Sequence, residues 1–484
     1  MTKDTNQESP TSRECGPRGE GVPRGAWLAL AVTGLGMFLI GLDVSIVNVA
    51  FPALREEFAA STASLSWVLN AYSITYAGLL VVAGRVADRA GRRRIFELGL
   101  VVFVAGSVAV AASPSVGLLI AMRALQGMGA AMVTPSSMGL VLGAWPPRRR
   151  ATAIALWGAV FAVAVAVGPS LGAVLIEGLS WRWAFLVNLP LGMLVVGLGR
   201  RVLVETAPDP DASDPDLLGA ALVSVATAAV AFGLAQGSDW GWSSPQVIIA
   251  FPVSGLALAG FLRRTRRHDD PIIPPSLFKI GSFRSASVAL FTFSLGFFAF
   301  FLSMVLFLTG VWGYSILRAG LAITLGPATV AIVANVAGRM ADRMGHRSVI
   351  VPGALLHAVG VVWWIWRLGP VPAYVTGWLP GLVLTGAGIG ATIGILAAAG
   401  VSEVGAEHFS VAGAVTQTGR QLGGAIGLAI MVAILGEPVG PTESLDAFQR
   451  VFVYIAAMSI LTALVATRIR PGMVGETVPA GSTR

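Results

Sequence analysis

The chain has 484 residues, of which 55% are hydrophobic and only 12% are charged, and its mean hydropathy is +0.77. Soluble proteins carry about 25% charged residues, so this composition excludes a set of soluble domains and indicates a protein that crosses a membrane many times. The net charge of +8 does not indicate nucleic-acid binding, because the positive residues lie in short loops between apolar segments. The single cysteine, Cys15, cannot form an internal disulfide.

Fourteen segments are long and apolar enough to cross a membrane as helices, since a spanning helix needs roughly 20 mostly apolar residues. None alternates polar and apolar residues as the strands of a membrane barrel do. The predicted fold class is therefore an all-α membrane protein. The predicted spans lie near 27–50, 66–86, 95–113, 117–143, 151–177, 183–204, 217–236, 246–262, 284–311, 319–338, 349–367, 374–399, 410–435 and 449–468.

The basic residues orient the chain in the membrane. With the N-terminus placed inside, 26 of the 33 Lys and Arg residues fall in inner segments and 5 in outer segments. Cytoplasmic loops are enriched in Lys and Arg, so we expect both termini in the cytoplasm. Residues 1–24 are polar, and we therefore predict no removable signal peptide.

Two ten-residue segments of the chain are similar in sequence. Residues 84–93 read GRVADRAGRR and residues 338–347 read GRMADRMGHR, and each copy follows the second span of its half. Such repeats are typical of transporters that work by alternating access through a central cavity. The predicted domains are an N-terminal tail (1–26), a six-helix bundle (27–204), linkers with a central two-helix hairpin (205–283), a second six-helix bundle (284–468) and a C-terminal tail (469–484).

Several of these segments resemble the sequence signatures of one transporter family. They are GRVADRAGRRR at 84–94, Arg123 in RALQGMGAAM, Gly168 to Gly172 in the fifth span, LDVSIVNVAFP at 42–52, Trp181 to Phe185 with Asn188 and Pro190, and RQLGG at 420–424. Together they are similar to the fourteen-helix drug/proton antiporters of the major facilitator superfamily, over about 27–468.

This resemblance implies the major facilitator fold, with six, two and six helices, in the inner (plasma) membrane of a bacterium. It also implies a proton-coupled exporter of drugs that has no cofactor, is no enzyme, and acts as a monomer among membrane lipids. A dedicated exporter of one endogenous metabolite or lipid, or a proton-coupled importer, stays open as an alternative. A membrane enzyme or sensor is disfavoured, because the sequence has no HExxH motif, no phosphate-binding loop and only four histidines.

Asp43 is the one acidic residue predicted deep within a span. It lies seven residues before Ala50, at the outer end of the first span, and Arg123 lies six residues into the fourth. Both therefore lie roughly 10 Å below the same boundary, and the resemblance places both helices around one cavity. Charge inside a membrane is usually functional, so we predict that this pair couples transport to protons. A fixed ion pair between two helices is the alternative.

The repeated loops are predicted to gate the transporter. Their aspartates are suited to accept hydrogen bonds from the start of a neighbouring helix, and their glycines allow a turn or a close approach. The resemblance implies that the loops hold the two bundles together in an outward-open state; ordinary charge-determined topology is the alternative. The predicted gate residues are Gly84, Arg85, Asp88, Arg89, Gly91, Arg92, Gly338, Asp342, Arg343 and Gly345.

The fifth span carries small residues on one face, among them Gly158, Gly168 and Gly172, and a helix-bending proline, Pro169. They predict a tightly packed, proton-tight boundary between the bundles, although such residues are common in membrane helices generally.

The substrate cavity is predicted to have an aromatic wall from the ninth span. Such a wall suits lipophilic or aromatic molecules, neutral or with a single positive charge. Arg420 either contacts an anion, acts as a conformational latch, or is satisfied by backbone carbonyls and neighbouring amides. His357 is expected to be a packing residue rather than a proton relay. The residues predicted for the cavity are Asn48, Phe293, Phe297, Phe301, Gln417 and Arg420.

Overall fold

The computed structural model describes residues 22–60, 62–205, 216–436 and 441–469. The predicted tails, 1–26 and 469–484, therefore lie mostly outside the described residues. Within the described residues the chain is helical and contains no strand.

The α-helices of this part of the chain are numbered in order. They are α1 (Arg24–Phe58), α2 (Thr62–Ala90), α3 (Arg92–Ala111), α4 (Val116–Ala144), α5 (Arg150–Gly178), α6 (Trp183–Leu186), α7 (Asn188–Val202), α8 (Leu217–Trp240), α9 (Pro245–Thr265), α10 (Gly281–Gly310), α11 (Ile316–Ile323), α12 (Leu325–Met344), α13 (Arg347–Arg367), α14 (Leu379–Val401), α15 (Phe409–Leu435) and α16 (Pro441–Ala466). Short 3-10 turns occur at Pro147–Arg149, Pro275–Lys279 and Ala406–His408, and a π turn at Tyr374–Trp378 precedes α14.

Fourteen spans are long and apolar enough to cross a membrane within the described residues. The sixth span combines α6 and α7, the tenth combines α11 and α12, and the twelfth combines the π turn with α14. The prediction of an all-α protein with about fourteen spans is confirmed.

Several helices extend past the apolar segments that predicted them. The helix α1 starts inside the predicted tail and runs to Phe58, beyond Pro52, before the backbone of Ala59 turns into the left-handed region with φ 46°. The helix α10 starts at Gly281, inside the predicted linker. Hydropathy marks only the part of a helix that lies in lipid, whereas the backbone hydrogen-bond ladder continues into the polar layers.

The helices pack as two six-span bundles with a hairpin outside them. The N-terminal bundle contains α1 to α7, the C-terminal bundle contains α10 to α16, and the hairpin of α8 and α9 packs on α2 and α15. Across the boundary between the bundles, α5 packs on α12 and α14, while α15 packs on α2 and α4. We call the end of the molecule that carries the two repeated loops the loop face.

Asp216 caps the start of α8, the first helix of the hairpin. Its Oδ1 accepts from the backbone N–H of Gly219, at 2.9 Å, and from Nε of Arg264 on α9. Burial raises the pKa of the Asp216 carboxyl, but these hydrogen bonds and the charge of Arg264 outweigh it, so the pKa lies below its usual value.

We expect Asp216→Ala to reduce the stability of the purified protein by about 1–2 kcal/mol, the usual effect of losing a helix cap. Because the carboxyl's pKa is lowered in the folded protein, its contribution is full above about pH 4 and is lost as the pH falls through the lowered value. The thermal midpoint in detergent measures this effect. Glu56→Ala, at an exposed position of α1, is the matched control, and equal midpoints for the two variants would contradict the prediction.

Candidate functional site

Asp43 and Arg123 form an ion pair in the core of the N-terminal bundle. Nη1 of Arg123 donates to Oδ2 of Asp43 at 2.6 Å, and the two side chains are 1% and 0% exposed. Nε of Arg123 donates to the backbone oxygen of Val68 at 3.1 Å, and its guanidinium lies 4.4 Å from the ring centroid of Tyr72. The pair therefore links α1 and α4 and uses α2 as a support.

Three polar side chains complete the environment of this pair. Gln126 accepts from Nη1 of Arg123 at 2.7 Å and donates to Oδ1 of Asp43 at 2.6 Å. Asn188 donates to the same Oδ1 at 3.2 Å, and both amides also donate to the hydroxyl of Ser107. The carboxylate thus receives hydrogen bonds from three side chains on α4 and α7, all of them buried.

The role of these amides was not predicted from the sequence. Gln126 lies three residues after Arg123 on α4 and therefore shares a helix face with it, a signal that was present in the sequence. Asn188 appears only as part of a signature segment, and Ser107 has no sequence signal. This network can hold a negative charge away from water, and it changes if Asp43 gains a proton, because one acceptor oxygen becomes a donor.

Asp88 joins the two bundles at the loop face. Its carboxylate accepts from the backbone N–H groups of Ser410 and Val411, at 3.2 and 2.9 Å, at the start of α15. It also accepts from Nε and Nη2 of Arg92, at 2.9 and 2.7 Å. Nη2 of Arg92 donates in addition to the backbone oxygen of Ala406, so Arg92 itself contacts both bundles.

Asp342, in the second copy of the loop, makes the reciprocal contact. Its carboxylate accepts from the backbone N–H groups of Ala151 and Thr152, at 3.1 and 3.3 Å, and from the hydroxyl of Thr152, at the start of α5. His346 occupies the position that Arg92 has in the first copy. Burial lowers the pKa of His346 to about 4, so it is neutral at pH 7 and supplies no positive charge. Arg343 is exposed.

The first glycine of each repeated loop lies where the two bundles are in close contact. A Cβ added to Gly84 would lie 2.7 Å from Cβ of Ala414, and one added to Gly338 would lie 2.6 Å from Cα of Thr152. Gly91 and Gly345 have φ values of 107° and 85°, which other residues rarely adopt.

Two acidic residues outside the repeat also hold the first loop. Asp270, in the linker after the hairpin, pairs with Arg85 and Arg89. Glu205, at the end of the N-terminal bundle, accepts from the backbone N–H groups of Arg93 and Arg94 at the start of α3, both at 3.1 Å. Both lie in segments that the sequence analysis treated only as polar linkers.

The glycines of α5 are placed differently from the prediction. Gly168 lies against Ser45, and a Cβ on Gly172 would lie 2.6 Å from Cγ1 of Ile46, so both glycines pack on α1 within the same bundle. Pro169 lies between them within the helix. Gly158 is not closely packed, because its added Cβ would meet nothing within 4 Å; it lines a cavity instead. Gly168 and Gly172 therefore pack within the N-terminal bundle and not across the boundary between the bundles, whereas Gly158 lies at that boundary without close packing.

A central cavity of about 300 Å³ lies between the bundles and is almost wholly apolar. Its floor toward the loop face includes the contact of α5 with α14, where a Cβ on Gly394 would lie 2.7 Å from Cα of Ala155. The lining residues come from α1, α5, α10, α11, α12, α14 and α15, and they include Val44, Ser45, Trp157, Phe161, Phe297, Phe298, Phe300, Phe301, Met304, Thr385, Ile389, Gln417 and Arg420.

The aromatic wall predicted from the ninth span exists but is shifted along α10. Phe297 and Phe301 line the cavity as predicted, and Phe298 and Phe300 join them. Phe293 is 1% exposed, stacks on Phe297 and lies behind the wall, so its assignment to the lining is wrong. The side chain of Asn48 is outside the part of the chain that the structure describes.

Arg420 lies at the cavity and His357 lies away from it, both in the C-terminal bundle. Arg420 lines the cavity, and its Nε donates to Oε1 of Gln417 at 2.6 Å. His357 is fully buried away from the cavity, where its Nδ1 lies 2.7 Å from the hydroxyl of Ser459 and its ring meets the edges of Phe293 and Phe300.

The fold and this site define a membrane transporter: two bundles meet around a central cavity, and they are joined at one face by loops of repeated sequence. The model of the Major Facilitator Superfamily matches residues 33–428. The crystal structure of the human organic anion transporter MFSD10 (TETRAN) is similar, with a TM-score of 0.68 and 17% sequence identity over 92% of this chain and 100% of that chain, which shows the fold.

Curated relatives are closer in sequence. The chain is 34% identical to multidrug resistance protein Stp of Mycobacterium tuberculosis, over 84% of this chain and 75% of the relative. It is 33% identical to puromycin resistance protein pur8 of Streptomyces alboniger, over 84% and 81%, and 33% identical to cephamycin export protein CmcT of Amycolatopsis lactamdurans, over 93% and 95%. The chain belongs to the major facilitator superfamily, in the group that contains these drug-resistance exporters, and it is a transporter rather than an enzyme.

The contacts of Asp88 can be tested with a buried thiol. Ser410 is fully buried at the start of α15, and Ser410→Cys is nearly isosteric. In a Cys15→Ser background, we expect slow reaction of this thiol with a hydrophilic maleimide. Adding Asp88→Asn removes the negative acceptor; hydrogen bonds to charged groups contribute about 1.5–3 kcal/mol, so labelling is expected to become at least about tenfold faster.

The matched control for this experiment is Glu407→Gln, which removes an exposed acidic residue three residues before Ser410. It is expected to leave the labelling rate unchanged. Equal labelling rates with Asp88 and with Asn at position 88 would show that this contact does not hold the loop face closed.

Proposed function

We propose that the protein exports lipophilic or aromatic compounds, drugs among them, across a bacterial plasma membrane in exchange for protons. The observation that carries this proposal is a carboxylate, Asp43, that is wholly buried within the bundle whose helix α1 also lines the cavity. The relatives, which include proteins named for drug resistance and for export, support the proposed cargo and direction.

The buried pair is suited to carry the proton. Burial disfavours the charged form of a carboxylate, whereas a neighbouring guanidinium favours it. Asp43 is 0% exposed and lies 2.6 Å from Arg123. In the proposed mechanism the contact between Asp43 and Arg123 lengthens through a small displacement of α1 relative to α4 when a proton is taken up, and it re-forms when the proton leaves.

The cavity and the proton site lie on opposite sides of α1. Val44 and Ser45 line the cavity, whereas Asp43 points into the bundle. Substrate in the cavity therefore acts on Asp43 by shifting α1, which packs closely on α5 through Gly168 and Gly172. Arg123, Gln126 and Asn188 sense the same shift, because each of them bonds to Asp43.

In this proposal the loop face is the cytoplasmic face, as the distribution of Lys and Arg predicts, and the structure corresponds to the state closed on that side. Asp88 and Asp342 hold that state by bonding to the first residues of α15 and α5. Inward opening requires both sets of bonds to break. One proton moving through a potential of 100 mV supplies about 2.3 kcal/mol, enough to sustain a roughly 40-fold substrate gradient.

Export is tested in cells with a small panel of fluorescent lipophilic dyes. We expect expression of the protein to lower the accumulation of at least one dye, and an uncoupler to restore it, because the proton gradient is the energy source. Higher accumulation on expression would instead favour the alternative of a proton-coupled importer. A lack of effect by the uncoupler would contradict proton coupling.

Proton coupling is tested with Asp43→Asn in proteoliposomes. Asn keeps the size of the side chain and an acceptor for Arg123 but cannot take up a proton, so substrate-induced proton release is expected to disappear while the protein still folds. Glu57→Gln, which removes an exposed partner of Arg182, is the matched control and is expected to behave as wild type. Size-exclusion chromatography verifies folding, and undiminished antiport in Asp43→Asn would disprove the coupling role.

A further inference from the structure

Among the described residues that line the central cavity, Arg420 is the charged one. It lies on α15 and is 8% exposed, so its guanidinium is largely removed from water and faces an apolar wall. An uncompensated charge in such surroundings is costly, because the solvation by water is lost and little replaces it.

The protein compensates this charge only in part. Nε of Arg420 donates to Oε1 of Gln417 at 2.6 Å, which uses one of the five N–H donors that a guanidinium has. No carboxylate pairs with Arg420 among the residues that the structure describes. The two Nη groups, which can bind both oxygens of a carboxylate at once, make no hydrogen bond within that same part of the chain.

Arg123 provides an internal comparison. It is buried to a similar degree, but Asp43 neutralises it at 2.6 Å, and both residues lie outside the cavity lining. The cavity therefore presents a positive charge to its contents, and Asp43 is already paired with Arg123. A cationic compound would meet Arg420 without a compensating anion.

The surroundings of Arg420 suit the rest of an aromatic acid. The guanidinium carbon lies 5.6 Å from the ring centroid of Phe161 on α5, and Phe297 and Phe301 line the cavity from α10. Aromatic faces and edges bind a flat apolar body, while the guanidinium binds an acidic group at its end.

From these contacts we propose that the central cavity is an organic-anion site, in which Arg420 binds the carboxylate of a lipophilic aromatic acid and Gln417 orients the guanidinium. This inference rests on the proposed function, because it takes the cavity to hold the exported compound. It replaces the expectation of neutral or singly positive substrates, because the charged residue that lines the cavity within the described residues is Arg420 and not Asp43.

The test is equilibrium binding to the purified full-length protein in lipid nanodiscs, without any gradient, by isothermal titration calorimetry. The probes share one ring system and differ in charge: naphthalene-2-carboxylate, the neutral naphthalene-2-carboxamide and the naphthyl trimethylammonium cation. We expect the wild-type protein to bind the carboxylate at least about tenfold more tightly than the amide, and the cation most weakly.

Two variants separate a specific role from a general loss of structure. Arg420→Gln is expected to weaken binding of the carboxylate by about tenfold or more and to change binding of the amide by less than about threefold. Arg420→Lys keeps a positive charge but not the planar pair of donors, so it is expected to restore part of the preference. Arg318→Gln, at an exposed position of α11, is the matched control.

Several results would overturn the inference. They are equal affinities of the wild-type protein for the carboxylate and the amide, an equal loss for both probes in Arg420→Gln, and no binding of the carboxylate at about 1 mM. Displacement of the carboxylate by chloride at a similar concentration would assign the site to an inorganic anion instead. If Arg420→Gln does not fold, the three probes on the wild-type protein decide. Dye export that depends on protons but shows no preference for anions would leave the proposed function intact and reject this inference alone.

Discussion

Contact between the bundles at the loop face depends on the need of the first backbone N–H groups of α5 and α15 for hydrogen-bond partners. The first N–H groups of a helix have no partner within that helix, and they carry the positive end of its dipole. In both helices a carboxylate from the opposite bundle provides the partner, Asp342 for α5 and Asp88 for α15. The relative position of the bundles at this face is therefore set by hydrogen-bond geometry, since each bundle provides acceptors for backbone N–H groups of the other. Ala151 and Thr152, which bond to Asp342, lie within about one turn of Ala155, which forms part of the cavity floor.

The two contacts are similar in backbone geometry but differ in charge. Asp88 shares its carboxylate with Arg92, which reaches across to Ala406, whereas Asp342 has a hydroxyl, that of Thr152, as its third donor. The first loop is also tied to the linker that follows the hairpin, through Asp270. The hairpin packs on α2 and α15, the two helices that the Asp88 contact joins, so it adds to the same side of the boundary.

The sequence was sufficient for the spans, for the pairing of Asp43 with Arg123 and for the location of the repeated loops. Apolar length identifies the spans and the repeated motif identifies the loops, and both are local properties of the chain. The pairing of Asp43 with Arg123 also needed the resemblance, which places α1 and α4 around one cavity. The positions of Phe293 and Gly158 and the roles of Gln126 and Asn188 were not predicted correctly, and for one common reason. Phe293 lies on the same side of α10 as Phe297 by sequence spacing, but its ring packs on His357 of α13. Gly158 is as small as Gly168, but no atom lies within 4 Å of the Cβ position on Gly158. Gln126 and Asn188 meet Asp43 because five helices converge there. Which face of a helix meets which neighbour depends on tertiary packing, and hydropathy does not record it.

Helix α1 presents Val44 and Ser45 to the cavity and Asp43 to the core of the N-terminal bundle. Substitutions in the cavity lining and substitutions around Asp43 are therefore structurally separate. Residues that line the cavity, such as Phe161 and Phe301, can vary in size without touching the Asp43 network, because no side chain within the described residues belongs to both groups. Under the proposed function, selection for new cargo can then act on the apolar wall while the Asp43–Arg123 pair, the proposed proton site, stays unchanged. A protein with this arrangement can diversify by exchanging wall residues one at a time.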